Sequence, residues 1–224
     1  MRFRRTTILF DVDGTLIDSA ADLQAAFNKL LTAVAHDPIT REEMMPLLKG
    51  HASDLVSGAF ALRGETLSKD ALEKKVKLFR QYYEYPETQL TAPYAGVMET
   101  LTALREAGLR LVVCSNKPKA SAVRTLTMTG LDDYFEFVAG GDSFGGTKKP
   151  EAEHVLKTLE AVGAAPEESV LVGDTDVDIE GARNAGIPHV FCSYGYSTLP
   201  LDELGVEVVI HEFSELLDVL RTLD

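Results

Sequence analysis

The length, composition and charge of the chain exclude several classes of protein. The chain has 224 residues, of which 45% are hydrophobic and 25% are charged, as is typical of a globular protein. No apolar run approaches the roughly 18 residues of a membrane span, and the apolar stretch after Met1–Arg5 is too short for a signal peptide. The formal net charge of −13 repels phosphate backbones and anionic lipid. We therefore expect a cytoplasmic monomer or homodimer that binds neither nucleic acid nor membrane.

Short apolar runs alternate with helical patterns over most of the chain. The predicted strands are Thr6–Phe10, Leu109–Cys114, Phe135–Ala139, Ser169–Val172, His189–Cys192 and Val206–Ile210. These runs are almost continuously apolar, as expected of strands that are buried on both faces of a parallel sheet. Between the later runs, apolar residues recur at steps of three and four, which indicates helices. The alternation predicts an α/β fold with a doubly wound, mostly parallel, Rossmann-like sheet.

One long segment, from about Asp18 to Pro93, interrupts this alternation, because it contains helical patterns and no predicted strand. Capping-box patterns begin at Ser19 and Thr40, and apolar stripes with helical spacing begin at Leu23 and Leu72. We therefore predict an inserted α-helical cap domain over residues 18–90. Residues 1–17 and 91–224 would form the α/β core.

Four of the predicted strands run directly into clusters of polar residues. The clusters are Asp11–Thr15, Ser115–Pro118, Gly140–Pro150 and Gly173–Asp178. In open α/β sheets, ligands bind outside the carboxyl ends of the strands, so the four clusters are expected to form one site. That site would hold several carboxylates, small polar groups and a lysine. Crowded acids are costly in a partly desolvated place, which indicates that a cation binds there.

The polar clusters resemble the motifs of the haloacid dehalogenase superfamily, whose members mostly hydrolyse phosphate esters. The motifs stand here as FDVDGT, VVCSN, KKP and VGDTDVD, in the order of the superfamily. The stretches SNKP, GLDDYF and VAGGDSFGGTKKP look most like the phosphoglycolate phosphatase branch. The superfamily often inserts a helical cap between its first and second motifs, where the helical segment lies here. The resemblance implies a phosphatase for a small phosphorylated metabolite, with 2-phosphoglycolate as the first candidate.

The resemblance also implies roles for the acids and the lysine. Asp11 would be the nucleophile that forms an aspartyl-phosphate, and Asp13 would be the general acid and base. Lys149 would pair with Asp11 and with phosphate, although the adjacent Lys148 is an alternative. The implied cofactor is Mg²⁺. Its predicted ligands are Asp11, Asp13 through a backbone carbonyl, Asp174, and Asp178 as an alternative or supporting ligand.

Other residues are candidates for contact with phosphate or with the rest of the substrate. They are Thr15, Ser115, Asn116, Lys49 and His51. Ser115 and Asn116 would donate hydrogen bonds to phosphate oxygens. Lys49 and His51 lie in the helical segment, which the leaving group would face, and would contact a small acidic substrate.

Three other functions remain open from the sequence. A sugar-phosphate phosphatase or a phosphoglucomutase-like enzyme would use the same chemistry. A signalling domain that carries a phospho-aspartate also combines acids, a hydroxyl and a lysine on an α/β sheet. The D-x-D arrangement of Asp11 and Asp13 favours turnover over a long-lived signal.

Overall fold

The computed structural model describes residues 3–48, 52–84 and 89–223, which fall into two compact units. The first unit comprises Met1–Asp18 and Ala92–Asp224, and the second comprises Ser19–Thr91. Among the described residues, no helix combines the length and the apolar character that crossing a bilayer requires.

The described residues of the first unit form eight strands. They are β1 (Thr7–Phe10), β2 (Ile17–Asp18), β3 (Ala92–Pro93), β4 (Arg110–Cys114), β5 (Phe137–Ala139), β6 (Ser169–Gly173), β7 (His189–Cys192) and β8 (Val209–Ile210). Six of them form one sheet in the order β5-β4-β1-β6-β7-β8, and every pair in it is parallel. The predicted α/β fold with a parallel sheet is confirmed. The strand bounds differ from the prediction mainly at β5 and β8, which are shorter.

Ten α-helices lie in the described residues of the two units. They are α1 (Ala20–Thr32), α2 (Arg41–Met44), α3 (Ala52–Ala61), α4 (Lys69–Glu84), α5 (Val97–Glu106), α6 (Lys119–Thr129), α7 (Ala152–Ala161), α8 (Asp176–Ala185), α9 (Leu201–Leu204) and α10 (Leu216–Thr222). The first four belong to the second unit and the other six to the first.

Helices cover both faces of the six-stranded sheet. Ile8 and Phe10 of β1 belong to a hydrophobic cluster that includes residues of α5, α6 and α10. Leu9, between them, belongs to a second cluster with residues of α7 and α8. Successive side chains of a strand point to opposite faces, so a central strand with helices on both sides must be apolar at every position. All three residues are fully buried. The continuous apolar run in the sequence has this cause.

The chain leaves and re-enters the first unit through a short strand pair that the sequence did not predict. β2 and β3 are antiparallel, with Ile17 opposite Pro93 and Asp18 opposite Ala92. Two residues per strand are too few to give a periodic pattern. The predicted absence of strands from Asp18 to Pro93 is therefore wrong at both ends of that segment.

The second unit is helical in its described part, with an aromatic core. Phe27 of α1, Phe60 of α3 and Phe79 of α4 are buried, and the ring centroids of Phe27 and Phe79 lie 4.4 Å apart. The apolar stripes predicted from Leu23 and Leu72 belong to α1 and α4, respectively.

Only one of the two predicted capping boxes in this unit forms. The Thr40 hydroxyl accepts a hydrogen bond from the Glu43 N–H, and the Glu43 carboxylate accepts one from the Thr40 N–H. At the start of α1, the Ser19 side chain makes no capping bond. The carboxylate of Asp22 instead accepts from the N–H of Leu90 and from the N–H and hydroxyl of Thr91. The predicted capping box at Ser19 is wrong, because the Asp22 carboxylate binds donors of Leu90 and Thr91, far along the chain.

Candidate active site

Three carboxylates meet at the carboxyl ends of two neighbouring central strands. Asp11 directly follows β1, Asp174 directly follows β6, and Asp178 lies in the first turn of α8. One oxygen from each of these side chains lies within 4.8 Å of the others. Asp174 and Asp178 are buried. The strand-end clusters therefore do bring the first and fourth motifs together.

Lys149 places an ammonium group among these acids. Its Nζ lies 2.6 Å from Oδ1 of Asp178 and 3.0 Å from Oδ1 of Asp11, and the side chain is 1% exposed. Lys149, and not Lys148, is thus the lysine beside the acids. One positive charge against three carboxylates leaves the cluster with surplus negative charge when all the acids are ionised.

The surplus charge and the burial together shift the pKa values of the cluster. Burial raises the pKa of Asp11 to about 6, although Lys149 opposes the rise. Burial raises the pKa of Asp174 well above its ordinary value, and the charges of Asp178 and Asp11 add to the effect. Burial would also raise the pKa of Asp178, but the Lys149 ammonium outweighs it and lowers that pKa. The cluster therefore resists full ionisation unless a further cation is present.

The donor set of this cluster fits a hard divalent cation such as Mg²⁺. Oδ1 of Asp11 is buried, and the Lys149 ammonium lies 3.0 Å from it. Asp174 accepts one bond at each oxygen, from the Thr15 hydroxyl at 2.8 Å and from the Tyr196 N–H at 2.8 Å. Each carboxylate oxygen has two acceptor positions, so Asp174 keeps room for a metal. Oxygen ligands of this kind are those that Mg²⁺ prefers.

Asp178 is held more tightly than Asp11 or Asp174. Its Oδ1 accepts from Lys149, and its Oδ2 accepts from the N–H groups of Asp174 and Thr175 and from the Thr175 hydroxyl. The bond from the Thr175 N–H belongs to a capping box at the start of α8. With both oxygens engaged, Asp178 fits the supporting role better than the ligand role.

Gly14 allows the loop after β1 to approach Asp174. Its φ is +86°, and a Cβ at this position would lie 2.2 Å from Oδ2 of Asp174. A side chain is therefore excluded both by backbone conformation and by contact.

The structure gives Thr15 a different contact from the predicted one. The fully buried Thr15 hydroxyl donates its single hydrogen to Oδ1 of Asp174. The Thr15 side chain therefore orients an acid in this structure, and its contact with phosphate stays a prediction. The hydroxyl of Tyr194 donates to the Thr15 carbonyl at 2.9 Å and fixes the same loop from the other side.

Ser115 and Asn116 directly follow β4. In the sheet, β1 lies between β4 and β6. Ser115 is buried, and a hydrogen bond from it lowers the pKa of Asp11 against the effect of burial. The Asn116 amide accepts from the Lys149 N–H at 2.9 Å and donates to the Lys149 carbonyl at 2.8 Å. Asn116 thus fixes the backbone of the lysine, a contact that the sequence did not predict. A phosphate contact for either residue stays a prediction.

Asp13 pairs with Lys117, which is not among the predicted site residues. Lys117 Nζ lies 3.0 Å from Oδ1 and 2.9 Å from Oδ2 of Asp13. The carboxylate of Asp13 is not in the group formed by Asp11, Asp174 and Asp178. Lys117 stands in the polar cluster after the Leu109–Cys114 run, so its position at a strand end was an available signal. Lys49 and His51, the two predicted substrate contacts, lie outside the described residues.

Comparison with known proteins agrees with this geometry. The model of the family "Haloacid dehalogenase-like hydrolase" matches residues 8–192. A protein named phosphoglycolate phosphatase from Agrobacterium fabrum is 38% identical over 212 residues, which are 95% of this chain and 91% of the relative. One of the same name from Caulobacter vibrioides is 36% identical over 217 residues, which are 97% of this chain and 91% of the relative.

A solved structure extends the agreement to the fold. A crystal structure from Haemophilus somnus, titled a predicted phosphoglycolate phosphatase, is 28% identical with a TM-score of 0.89, over 96% of this chain and 98% of that one. The resemblance that the motifs indicated is thereby confirmed. The chain belongs to the haloacid dehalogenase-like hydrolase family.

Proposed function

We propose that this protein is a Mg²⁺-dependent phosphatase that hydrolyses a small phosphorylated metabolite through an aspartyl-phosphate on Asp11. The first candidate substrate is 2-phosphoglycolate, which the names of the relatives support. The observation that carries the proposal is the group of Asp11, Asp174 and Asp178 around Lys149 at the strand ends. Phosphoryl transfer needs a positioned nucleophile and neutralised charge more than any other device. Asp11 would be the nucleophile, and Lys149 together with a metal held by the acids would neutralise the charge.

Asp11 is the nucleophile in the first step. One of its carboxylate oxygens attacks phosphorus, a P–O bond to Asp11 forms, and the bond from phosphorus to the ester oxygen breaks. Lys149, 3.0 Å from Oδ1 of Asp11, favours the ionised form of this carboxylate and offsets charge on the phosphoryl oxygens. Asn116 holds the Lys149 backbone in place for this role.

Asp13 handles the protons of both steps. It gives a proton to the leaving alkoxide, and in the second step it takes a proton from the water that attacks phosphorus. That attack releases inorganic phosphate and regenerates the Asp11 carboxylate. The acid that protonates the alcohol in the first step is thus the base that activates water in the second.

The metal would be held by Asp11, Asp174 and the backbone carbonyl of Asp13, with Asp178 in support. When bound, Mg²⁺ would supply positive charge that offsets the acids and the charge on the phosphoryl group. Thr15 and Tyr196 orient Asp174 for this role through their hydrogen bonds to its two oxygens.

The test is release of inorganic phosphate from a panel of phosphate esters with Mg²⁺. The panel contains 2-phosphoglycolate, several sugar monophosphates and glucose 1-phosphate, and each ester is assayed with the wild type and Asp11→Asn. We expect turnover by the wild type and near-complete loss in the variant, with the fold retained. Asp133→Asn removes an exposed carboxylate of the same unit and serves as the matched control.

Each alternative gives a distinct result in this assay. Wild-type hydrolysis by Asp11→Asn would contradict the nucleophile assignment. Preference for a sugar monophosphate would change the substrate and keep the chemistry. Conversion of glucose 1-phosphate to its isomer without phosphate release would indicate a mutase, and a stable phosphorylated protein without turnover would indicate signalling.

A further inference from the structure

We propose that Lys117 is a specificity-determining residue that binds a carboxylate on the leaving group. The substrate would then be a phosphate monoester of a short hydroxy acid, with its carboxylate close to the ester oxygen. This inference rests on the proposed function and adds to it the residue that recognises the non-phosphate part of the substrate.

Lys117 lies directly beside the carboxylate of Asp13. Its Nζ contacts both oxygens of the Asp13 carboxylate, at 3.0 and 2.9 Å. Asp13 protonates the ester oxygen of the leaving group in the proposed reaction, so it must contact that oxygen. An ammonium next to Asp13 would therefore lie close to the leaving group.

The backbone of Lys117 is fixed, so its ammonium is presented from a defined place. Its N–H donates to the Ser115 hydroxyl at 3.2 Å, and its carbonyl accepts from the Gly141 N–H at 2.9 Å. The side chain is 7% exposed, against 24% for Asp13. The charge of Lys117 thus acts in a mostly desolvated place, where an ionic contact is stronger than in water.

Charge explains why a cation is needed at this point. The protein carries a net charge of −13, and a leaving group with its own carboxylate would approach Asp13, a second anion. Like charges in such proximity oppose binding unless a cation lies between them. An ammonium has three donors on a rotatable stem, so one lysine can serve Asp13 and a substrate carboxylate together.

Other lysines near the motifs lie less favourably for binding a carboxylate on the leaving group. Lys149 contacts Asp11 and Asp178, on the side of the nucleophile. Lys119, two residues after Lys117, is exposed and lies over the ring of Phe137 at 5.1 Å. Among the lysines described, Lys117 is the one that contacts the general acid.

The test compares two esters that differ in the leaving-group carboxylate. 2-Phosphoglycolate has it, and 2-hydroxyethyl phosphate is of similar size with a neutral hydroxymethyl group in its place. The measured quantity is kcat/KM for 2-phosphoglycolate divided by kcat/KM for 2-hydroxyethyl phosphate. It is determined for the wild type, Lys117→Met, Lys117→Arg and Lys119→Met. Lys117→Met removes the charge at similar length, Lys117→Arg keeps the charge, and Lys119→Met is the matched control. Thermal unfolding shows which variants are folded.

We expect the wild type to prefer 2-phosphoglycolate. Lys117→Met should lower the ratio by on the order of 30- to 100-fold, at the lower end of the effect of removing one member of a desolvated ion pair. The ratio should be kept within about 5-fold by Lys117→Arg and be unchanged in Lys119→Met. If Lys117→Met does not fold, the same comparison is made with Lys117→Gln.

Two results would overturn the inference while the proposed function stands. The first is an equal loss of kcat/KM on both esters in Lys117→Met, which would mean that Lys117 only positions Asp13. The second is a wild-type enzyme that does not prefer the carboxylate-bearing ester, whether it hydrolyses both esters equally or acts only on other phosphate esters. A wild-type protein that releases phosphate from no ester, with Mg²⁺ present, would overturn the proposed function as well.

Discussion

Replacing Lys149 with Met tests the electrostatic account of the acidic cluster. The ammonium lies 2.6 Å from Asp178 and 3.0 Å from Asp11, and the side chains of Lys149 and Asp178 are each 1% exposed. Removing one partner of a buried ion pair typically destabilises a protein by about 3–5 kcal/mol. We therefore expect a loss of this size in the metal-free protein near neutral pH.

The loss of stability in Lys149→Met has an upper limit that depends on pH, because the Asp178 carboxylate can take up a proton once the lysine is removed. The ordinary pKa of this group is 3.8. Keeping it protonated costs about 1.4 kcal/mol for each pH unit above that value. The upper limit for this one carboxylate is then about 4.5 kcal/mol near pH 7 and about 1.7 kcal/mol near pH 5. In the wild type the pKa of Asp178 is lowered, so Asp178 stays ionised in the folded protein and folding takes up no proton there. The difference in unfolding free energy between the wild type and Lys149→Met should therefore widen as the pH rises.

The assay is equilibrium unfolding in urea with a metal chelator, at about pH 5 and pH 7, for the wild type, Lys149→Met and Lys148→Met. Lys148 is the adjacent lysine, and we expect its replacement to cost less than about 0.5 kcal/mol at either pH. A small, pH-independent loss in Lys149→Met would refute the reasoning, because the acids would then be neutralised by some other group.

Three further predictions concern the metal site and the helical unit. Burial raises the pKa of Asp11 to about 6, so a proton competes with the metal below that value. Calorimetry should show Mg²⁺ affinity rising from about pH 5 to pH 7 and levelling above. Thr15→Val removes the 2.8 Å bond to Asp174 and should weaken Mg²⁺ binding by roughly 10-fold. Asp22→Ala removes the acceptor for Leu90 and Thr91 and should destabilise the helical unit by about 2–3 kcal/mol, measured by hydrogen exchange in α1.

Each of these predictions has an outcome that contradicts it. Mg²⁺ affinity that does not change with pH would mean that Asp11 is not a ligand or is already ionised at low pH. Unchanged affinity in Thr15→Val would mean that Asp174 needs no orientation by that hydroxyl. Unchanged exchange in Asp22→Ala would mean that the three bonds to its carboxylate contribute nothing to the stability of the unit.

Much of the fold was predictable because a parallel sheet with helices on both faces gives its strands a strong pattern. Leu9 faces one hydrophobic cluster while Ile8 and Phe10 face another, so the strand reads as one apolar run. The polar residues after such runs, including Asp11 and Asp174, could then be assigned to one edge of the sheet. The local patterns therefore predicted that Asp11 and Asp174, which are far apart in the chain, lie at the same edge of the sheet.

The contacts that the sequence missed join residues far apart in the chain. Asp13 and Lys117 are 104 positions apart, and Asn116 and Lys149 are 33 apart. No local spacing encodes such pairs. Asp22 shows the opposite error, because a correct local pattern for a capping box was overridden by donors 68 and 69 residues away. Local chemistry predicts which residues are available, and the tertiary fold decides which partners they find.

The central claim is that the Asp11 carboxylate attacks phosphorus, and chemical trapping tests it most directly. Enzyme in turnover with a phosphate ester and Mg²⁺ is quenched and treated with borohydride, which reduces an aspartyl-phosphate to homoserine. Peptide mass analysis should find homoserine at position 11, only when substrate is present. Reduction at another aspartate, or none at position 11 although Asp11→Asn abolishes turnover, would contradict the claim.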